Sequence, residues 1–145
     1  MEKVIANLDE LKEEAVRFVQ TLTPKTGRAT LVTLSGELGA GKTAFSKMIA
    51  ATLGVEEVVT SPTFVLEKIY VLSEHAAFAR LIHIDAYRLE QGADLAALGF
   101  DENMQDGGNL ILLEWPEQVA DRLPEPTVHI SIMVNDDDSR TLTYD

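Results

Sequence analysis

The sequence contains no cysteine, which excludes disulfide bonds and thiolate metal sites and leaves nothing that points to an oxidising compartment. It also lacks a long apolar run, since no stretch approaches the ~20 residues needed to cross a bilayer. Residues 1–10 lack the cationic start and apolar stretch of a signal peptide. We therefore expect a cytoplasmic protein.

Basic residues are scarce, because 12 Lys and Arg stand against 24 Asp and Glu, for a net charge of −12. Such a surface repels nucleic acid phosphates, and the sequence has no Lys and Arg cluster to act as a local exception. Direct nucleic acid binding is not expected. The acidity either keeps the protein soluble or docks a basic protein partner. With 145 residues and 46% hydrophobic content, residues 1–145 are predicted to form one domain.

Residues 36–43, Gly-Glu-Leu-Gly-Ala-Gly-Lys-Thr, match the phosphate-binding pattern G-x-x-x-x-G-K-[ST] in full. An apolar run at 29–35 predicts a buried strand before the pattern, and residues 44–53 predict a helix that ends at Gly54. Glycines let successive N–H groups point at phosphate oxygens, Lys42 reaches the β- and γ-phosphates, and Thr43 ligates Mg²⁺. The competing interpretation is a glycine-rich turn with a solvated lysine. The flanking elements favour a nucleoside triphosphate site.

The remaining pattern predicts an α/β fold of the P-loop NTPase type, with a parallel core around the phosphate loop and an antiparallel C-terminal hairpin. A few helices flank this mixed sheet. We predict a first helix at 7–22, with Asn7 and Glu10 forming a capping box, and a connecting loop at 23–28. The other predicted elements are extended segments at 58–59, 64–71, 80–85 and 109–114, short helices at 92–98 and 116–122, and a hairpin of 127–134 with 140–144.

Two acids, Asp85 and Glu114, close apolar strands at the end where a parallel sheet presents its phosphate site. Each has the form of the Walker-B acid that holds Mg²⁺ or its water shell. The sequence leaves open which strand lies beside the phosphate-loop strand, and either acid alone could be a solvated strand-end carboxylate. Thr63 lies 20 residues after Thr43, where switch loops present a hydroxyl to Mg²⁺, although its Ser-Pro-Thr context also suits an ordinary turn.

For two further side chains the sequence allows more than one role. Trp115, the single tryptophan, either packs in the core or covers the site or a partner surface. His83 shares a strand face with Asp85, and a buried, hydrogen-bonded histidine is favoured over a ligand. The guanine-binding signature Asn-Lys-x-Asp does not occur, which favours ATP.

Four segments in order resemble the TsaE family, the small bacterial ATPase of tRNA threonylcarbamoyladenosine synthesis. They are GELGAGKT at 36–43, TSPTF at 60–64, HIDAYRL at 83–89 and LEWPE at 113–117. The resemblance covers nearly the whole chain. It implies a P-loop ATPase fold, ATP and Mg²⁺ as ligands, and two partner proteins of the TsaD and TsaB type. Those partners transfer threonylcarbamoyl to N6 of adenosine 37 in tRNAs reading codons that begin with A, while the ATPase cycle resets or releases their complex.

The resemblance also implies roles for individual residues. Catalysis falls to Lys42, Asp85 and Thr63, with Asp85 orienting water, and Mg²⁺ falls to Thr43 and Glu114. Nucleotide contacts fall to Glu37, Leu38, Gly39, Ala40, Gly41, Lys42, Thr43, Trp115, Glu117, Arg140 and Glu10. Glu37 replaces the usual Asp, and the turn at 136–138 replaces the glycine common before the hairpin arginine.

Three functions are compatible with these observations. The first is a partner-regulated ATPase in tRNA modification, slow on its own. The second is a stand-alone small-molecule kinase, for which the sequence lacks a long arginine-bearing lid. The third is a nucleotide-gated binding module whose hydrolysis is incidental.

Overall fold

A mixed β-sheet runs through the centre of the computed structural model, which describes residues 1–55, 67–74 and 76–145. The strands among these residues are β1 (Glu2–Ile5), β2 (Thr30–Ser35), β3 (Glu67–Val71), β4 (Arg80–Asp85), β5 (Asn109–Glu114), β6 (Val128–Val134) and β7 (Arg140–Tyr144). The helices are α1 (Leu8–Gln20), α2 (Lys42–Thr52) and α3 (Phe100–Met104), with 3₁₀ helices at Gly92–Leu98 and Pro116–Val119.

The strand order is β1-β7-β6-β2-β5-β4-β3. Strands β6, β2, β5 and β4 are mutually parallel neighbours, whereas β3 pairs with β4, β7 with β6 and β1 with β7 in antiparallel fashion. The predicted α/β class, with its parallel core and antiparallel C-terminal hairpin, is therefore confirmed. The phosphate-loop strand β2 lies in the middle, flanked directly by β5 and β6.

Helices cover the central strands on both faces, which explains why those strands are mostly apolar. On one face, α1 and α2 pack Phe18, Phe45 and Ile49 against Val32 and Leu112. On the other face, α3 and the 3₁₀ helices pack Leu95, Phe100 and Val119 against Ile82 and Ile111. The acids that end β4 and β5 lie at the carboxyl ends of these strands, where Asp85 is half-buried and Glu114 is buried.

Several predicted elements have different bounds or types. Helix α1 is shorter than predicted, and the predicted helices at 92–98 and 116–122 are 3₁₀ helices, the second ending at Val119. Strand β1 and helix α3 were not predicted, because β1 buries Ile5 alone and α3 is too short to show a period. The extended prediction at 58–59 and the first part of that at 64–71 lie outside the described residues. No helix in the described ranges is long and apolar enough to span a membrane.

Candidate nucleotide-binding site

The loop between β2 and α2 has the backbone geometry that its glycines permit. Gly39 and Gly41 have φ of 80° and 111°, in the left-handed region that favours glycine, and Gly41 is the N-cap of α2. The helix starts at Lys42, two residues earlier than predicted. Its unpaired N–H groups and the positive end of its dipole therefore open directly onto the loop.

Gly36 is fixed by space as well as by backbone angle. A Cβ at this position would lie 2.5 Å from the carbonyl oxygen of Ile132 on β6. Lys42 folds back over the same stretch, where its Nζ donates to the carbonyl oxygens of Gly36 and Glu37, the latter at 3.0 Å. The lysine side chain therefore hydrogen-bonds back to the loop that it belongs to.

The ammonium group of Lys42 lies in a protected environment. The residue is buried, and its Nζ stands 4.2 Å from the centroid of the Trp115 ring. Burial lowers the lysine's pKa, while the negative charges of Glu114, Glu117 and Asp85 oppose that change. The three carboxylates thus favour the charged form of the amine, which burial disfavours.

Strand order shows which of the two acids lies beside the phosphate-loop strand. Glu114 ends β5, the immediate neighbour of β2, and its Oε1 accepts a hydrogen bond from the Thr43 hydroxyl at 3.3 Å. Its other oxygen, Oε2, lies 2.5 Å from Nε2 of His83, and both residues are buried. The predicted pair of Thr43 and Glu114 is therefore brought together. His83 is buried, as the sequence indicated.

Asp85 lies one strand further out, opposite Glu114 in the register of β4 and β5. Its Oδ1 accepts a hydrogen bond from the backbone N–H of Tyr87 at 3.0 Å. Burial raises the pKa of this carboxyl, and the nearby charge of Glu114 acts in the same direction. Asp85 is thus a half-buried acid opposite Glu114 with one oxygen held by the backbone, and its other oxygen is suited to holding a water molecule.

Trp115 turns the chain sharply after β5. Its φ of 62° lies in the left-handed region, rare for a non-glycine residue, and its ring packs 4.9 Å from that of Tyr87. Two residues later, Glu117 accepts a hydrogen bond from the Ser35 hydroxyl at 3.3 Å. The turn thus brings the indole over Lys42 and the Glu117 carboxylate to the end of β2. Both residues lie beside the loop.

A cleft of about 320 Å³ opens on the other side of the loop. Its walls come from the chain between β1 and α1, from the phosphate loop itself, and from Asp138 and Arg140 at the hairpin. Arg140 donates from Nε to the carbonyl oxygen of Ala40 at 3.0 Å. Despite the replaced glycine in the turn, the hairpin arginine therefore touches the loop.

Comparison with known proteins decides the family. The model of the family described as "Threonylcarbamoyl adenosine biosynthesis protein TsaE" matches residues 6–142. The chain belongs to the TsaE family. It is 42% identical over 114 residues to the tRNA threonylcarbamoyladenosine biosynthesis protein TsaE of Treponema pallidum, covering 79% of this chain and 80% of that protein.

Other relatives agree with this TsaE assignment. The protein of the same description from Bacillus subtilis is 38% identical over 114 residues, which cover 79% of this chain and 68% of its length. The crystal structure of Bacillus subtilis YdiB superposes with a TM-score of 0.78 at 30% identity, covering 99% of this chain and 83% of that one. The fold described above is therefore shared with that solved structure.

Not every predicted site residue of this TsaE-family chain can be located beside the loop. Thr63 lies outside the described residues. Glu10 is exposed, and its Oε2 accepts a hydrogen bond from the backbone N–H of Ala6 at 2.5 Å. That contact belongs to the start of α1, close to the cleft but not on its wall. Of the other predicted residues, Glu37, Leu38 and Ala40 lie in the loop between β2 and α2, and their contacts with a nucleotide stay predictions.

Several residues that line the cleft were not predicted from the sequence. Asn7 was recognised as a helix cap, yet it also forms part of the cleft wall, with Leu8 and Asp138. No local pattern reports such a role, because the N-terminal segment meets the loop only after β1 pairs with β7. The hydrogen bond between His83 and Glu114 was also missed. Once β4 and β5 are known to be neighbours, the two residues are seen to lie on the same face of the sheet, which would have indicated the contact.

The donor set suits Mg²⁺ better than a metal that needs several protein ligands. Among the described residues, no group of three or more His, Asp and Glu side chains is arranged to hold a metal ion. Mg²⁺ is commonly held by one or two protein oxygens together with substrate phosphates and water. The Thr43 hydroxyl and the Glu114 carboxylate are hard oxygen ligands of that kind, and they stand in contact with each other.

Proposed function

We propose that this protein binds and hydrolyses ATP with Mg²⁺ and serves tRNA threonylcarbamoyladenosine synthesis through a partner transferase complex. The observation that carries the proposal is the contact between Thr43 and Glu114 at the start of α2, beside the buried Lys42. A loop that merely turned the chain would not need a buried amine, a hydroxyl and a buried carboxylate in this arrangement. The family membership supplies the pathway.

In this proposal, the N–H groups of residues 38–43 and the Lys42 amine hold the phosphates. Lys42 leaves the carbonyl oxygens of Gly36 and Glu37 for phosphate oxygens, which are stronger, charged acceptors. Thr43 and Glu114 hold Mg²⁺, which neutralises charge on the phosphates during transfer. Trp115 keeps the amine desolvated from one side, so its interaction with the phosphates is stronger than it would be in water.

The nucleoside part fits the cleft between the start of α1 and the hairpin. That cleft adjoins Gly39, Ala40 and Gly41, so a nucleotide with its phosphates in the loop can extend into it without leaving the surface. Apolar walls from Ile5, Leu8 and Leu11 suit a flat base. Arg140 and Asp138 supply polar groups at the opposite rim.

Asp85 is the residue proposed to orient the attacking water. One of its oxygens is held by the N–H of Tyr87, which leaves the other free to accept from water. Its raised pKa makes it a better proton acceptor than a solvated aspartate would be. Thr63 and its switch role remain a sequence prediction, as do the contacts of Glu10.

Partner proteins of the TsaD and TsaB type are proposed to complete the site. An acidic chain with a net charge of −12 is poorly suited to binding tRNA itself, so its effect on tRNA modification would pass through proteins. We expect hydrolysis by the isolated protein to be slow and to rise when the partner complex is added.

The decisive experiment measures ATP hydrolysis with and without the partner proteins and scores tRNA modification in the same reactions. Lys42→Ala should lower hydrolysis by about 100-fold or more, because the phosphates lose their main cationic contact. Lys47→Ala is the matched control, since Lys47 is an exposed lysine on the same helix. We expect modification to fail with the first variant and to continue with the second.

Other results would redirect the proposal. Unchanged hydrolysis and modification in Lys42→Ala would contradict it, and metabolites would then be screened as phosphoryl acceptors of a kinase. Full modification by Asp85→Ala, with hydrolysis abolished, would indicate that nucleotide binding alone gates the partner complex.

A further inference from the structure

His83 is a buried imidazole that the proposed chemistry does not use. It lies on β4 with a side chain 1% exposed, on the same strand face as Asp85. In the register of β4 and β5 it stands opposite Leu112, and it reaches diagonally to Glu114, two residues along β5. Its position in the middle of an otherwise apolar core is costly unless its hydrogen bond matters.

The contact fixes both oxygens of Glu114. A carboxylate can only accept, so the His83 ring carries its hydrogen on Nε2 and donates it to Oε2 at 2.5 Å. Oε1 is left for the Thr43 hydroxyl. Among the described residues, Nδ1 of His83 has no hydrogen-bond partner, so this single bond is what the structure gives the ring in exchange for water.

Without that bond, the Glu114 carboxylate would still be attracted to the ammonium group of Lys42. Its charge already acts on Lys42, and the two groups sit on the same side of the sheet edge. A carboxylate released from His83 could turn toward the lysine ammonium. Such a turn would move Oε1 away from the Thr43 hydroxyl, and so away from the position proposed for the metal.

We propose that His83 is a positioning residue that holds Glu114 with Oε1 toward Thr43 and thereby sets the affinity for the divalent cation bound with the nucleotide. The inference rests on the proposed function, since it concerns the same site. It assigns His83 no contact with nucleotide or metal. Its effect therefore belongs to metal-dependent binding and not to the phosphate contacts of the loop.

The test compares the affinity for ADP in EDTA with the affinity in saturating Mg²⁺, and follows Mn²⁺ bound with ADP by electron paramagnetic resonance. His83→Leu removes the donor but keeps an apolar core residue, and His83→Gln keeps an N–H donor at a similar reach. We expect His83→Leu to retain the EDTA affinity and to lose about 10–100-fold in divalent-ion affinity. His83→Gln should restore most of that loss and the Mn²⁺ spectrum.

Glu114→Gln is the reference for a direct metal ligand, and His83→Leu should cause no further loss in that background. If His83→Leu couples Mg²⁺ to ADP as the unmodified chain does while Glu114→Gln does not, the positioning role is wrong. If His83→Leu fails to fold, His83→Asn replaces it, because the shorter amide does not reach Glu114; equal coupling in His83→Asn and His83→Gln would overturn the inference. Absence of ADP binding by the unmodified chain would instead overturn the proposed function, and this inference with it.

Discussion

Glu14 shows how much a single buried carboxylate can organise. It lies on α1, receives two hydrogen bonds from Arg17 at 2.7 and 2.6 Å, and accepts another from the Tyr144 hydroxyl on β7. Arg17 also stands over the Tyr144 ring. Burial opposes ionisation of Glu14, but these hydrogen bonds outweigh it and lower the carboxyl's pKa. One side chain thus joins the first helix to the last strand.

Glu14→Gln should lower the free energy of unfolding by about 1–3 kcal/mol, because the charged partner of Arg17 and Tyr144 is lost. Since the pKa is lowered in the folded state, the stabilisation is present above the ordinary value of 4.5 and is lost as the pH falls below it. Urea unfolding at several pH values checks this. Glu13→Gln, at an exposed neighbour, is the control, and equal effects of both variants at neutral pH would contradict the prediction.

At this scale, the sequence predicted residues whose role is local. Lys42 and Thr43 follow from a continuous pattern, since eight neighbouring residues build the loop by themselves. The residues alone left open whether the strand ending in Asp85 or the one ending in Glu114 lies beside β2, because non-local pairing decides it, and the separate roles of the two acids came only from the family resemblance. The hydrogen bond from His83 depends on that same non-local pairing.

Two side-chain hydrogen bonds hold the start of helix α1. The Asn7 side chain accepts from the N–H of Glu10 at 2.9 Å, and the Glu10 carboxylate reaches back to the N–H of Ala6. In a capping box the Glu10 carboxylate would accept from the N–H of Asn7. In the structure it accepts from the N–H of Ala6, one residue earlier. These bonds fix the path of the chain from β1 into α1, which is also one wall of the nucleotide cleft.

Asn7→Ala should destabilise the protein by about 1 kcal/mol, because the side-chain oxygen that accepts from the N–H of Glu10 is lost. Asn7→Ser keeps a capping oxygen and should lower the free energy of unfolding by only a few tenths of a kcal/mol. Chemical unfolding of the two variants side by side measures the difference. A loss of equal size in both would mean that the cleft packing, and not the cap, is what Asn7 supplies.

Elements with a strong internal period were predictable, and those made by tertiary pairing were not. Strands β4 and β5 match their predicted bounds because both are apolar runs ended by an acid. Strand β1 has no such pattern, since three of its four residues are exposed and its pairing to β7 supplies the conformation. The 3₁₀ helices were identified by place but not by type, because a single turn has no measurable period.

The whole molecule carries an acidic surface, and its consequence can be measured directly. We expect no saturable binding of labelled tRNA by the isolated protein at about 150 mM salt, where repulsion still acts over several ångströms. Fluorescence anisotropy checks this, with the partner complex as the positive control for the labelled tRNA. Tight binding that weakens steeply with added salt would contradict the prediction and reveal a basic surface that the sequence does not suggest.

Fold class was the most predictable property at this scale, because alternating strands and helices around a phosphate loop leave few arrangements. The position of the hairpin was less so. Its antiparallel pairing follows from its short connection, but its place directly beside β2 is set by the parallel contact of β6 with the loop strand. That placement brings Arg140 to Ala40 across 100 residues of sequence.

The pairing of β1 with β7 gives the cleft an order of assembly. One wall is formed by the first helix and its approach, and the opposite rim by the last hairpin, so the cleft cannot exist on a nascent chain until β7 has been translated. The phosphate loop needs β6 as well as β2 and α2, because Gly36 lies against Ile132 of β6. The cleft needs β7 in addition, so full nucleotide affinity would mark a chain in which β1 and β7 have paired.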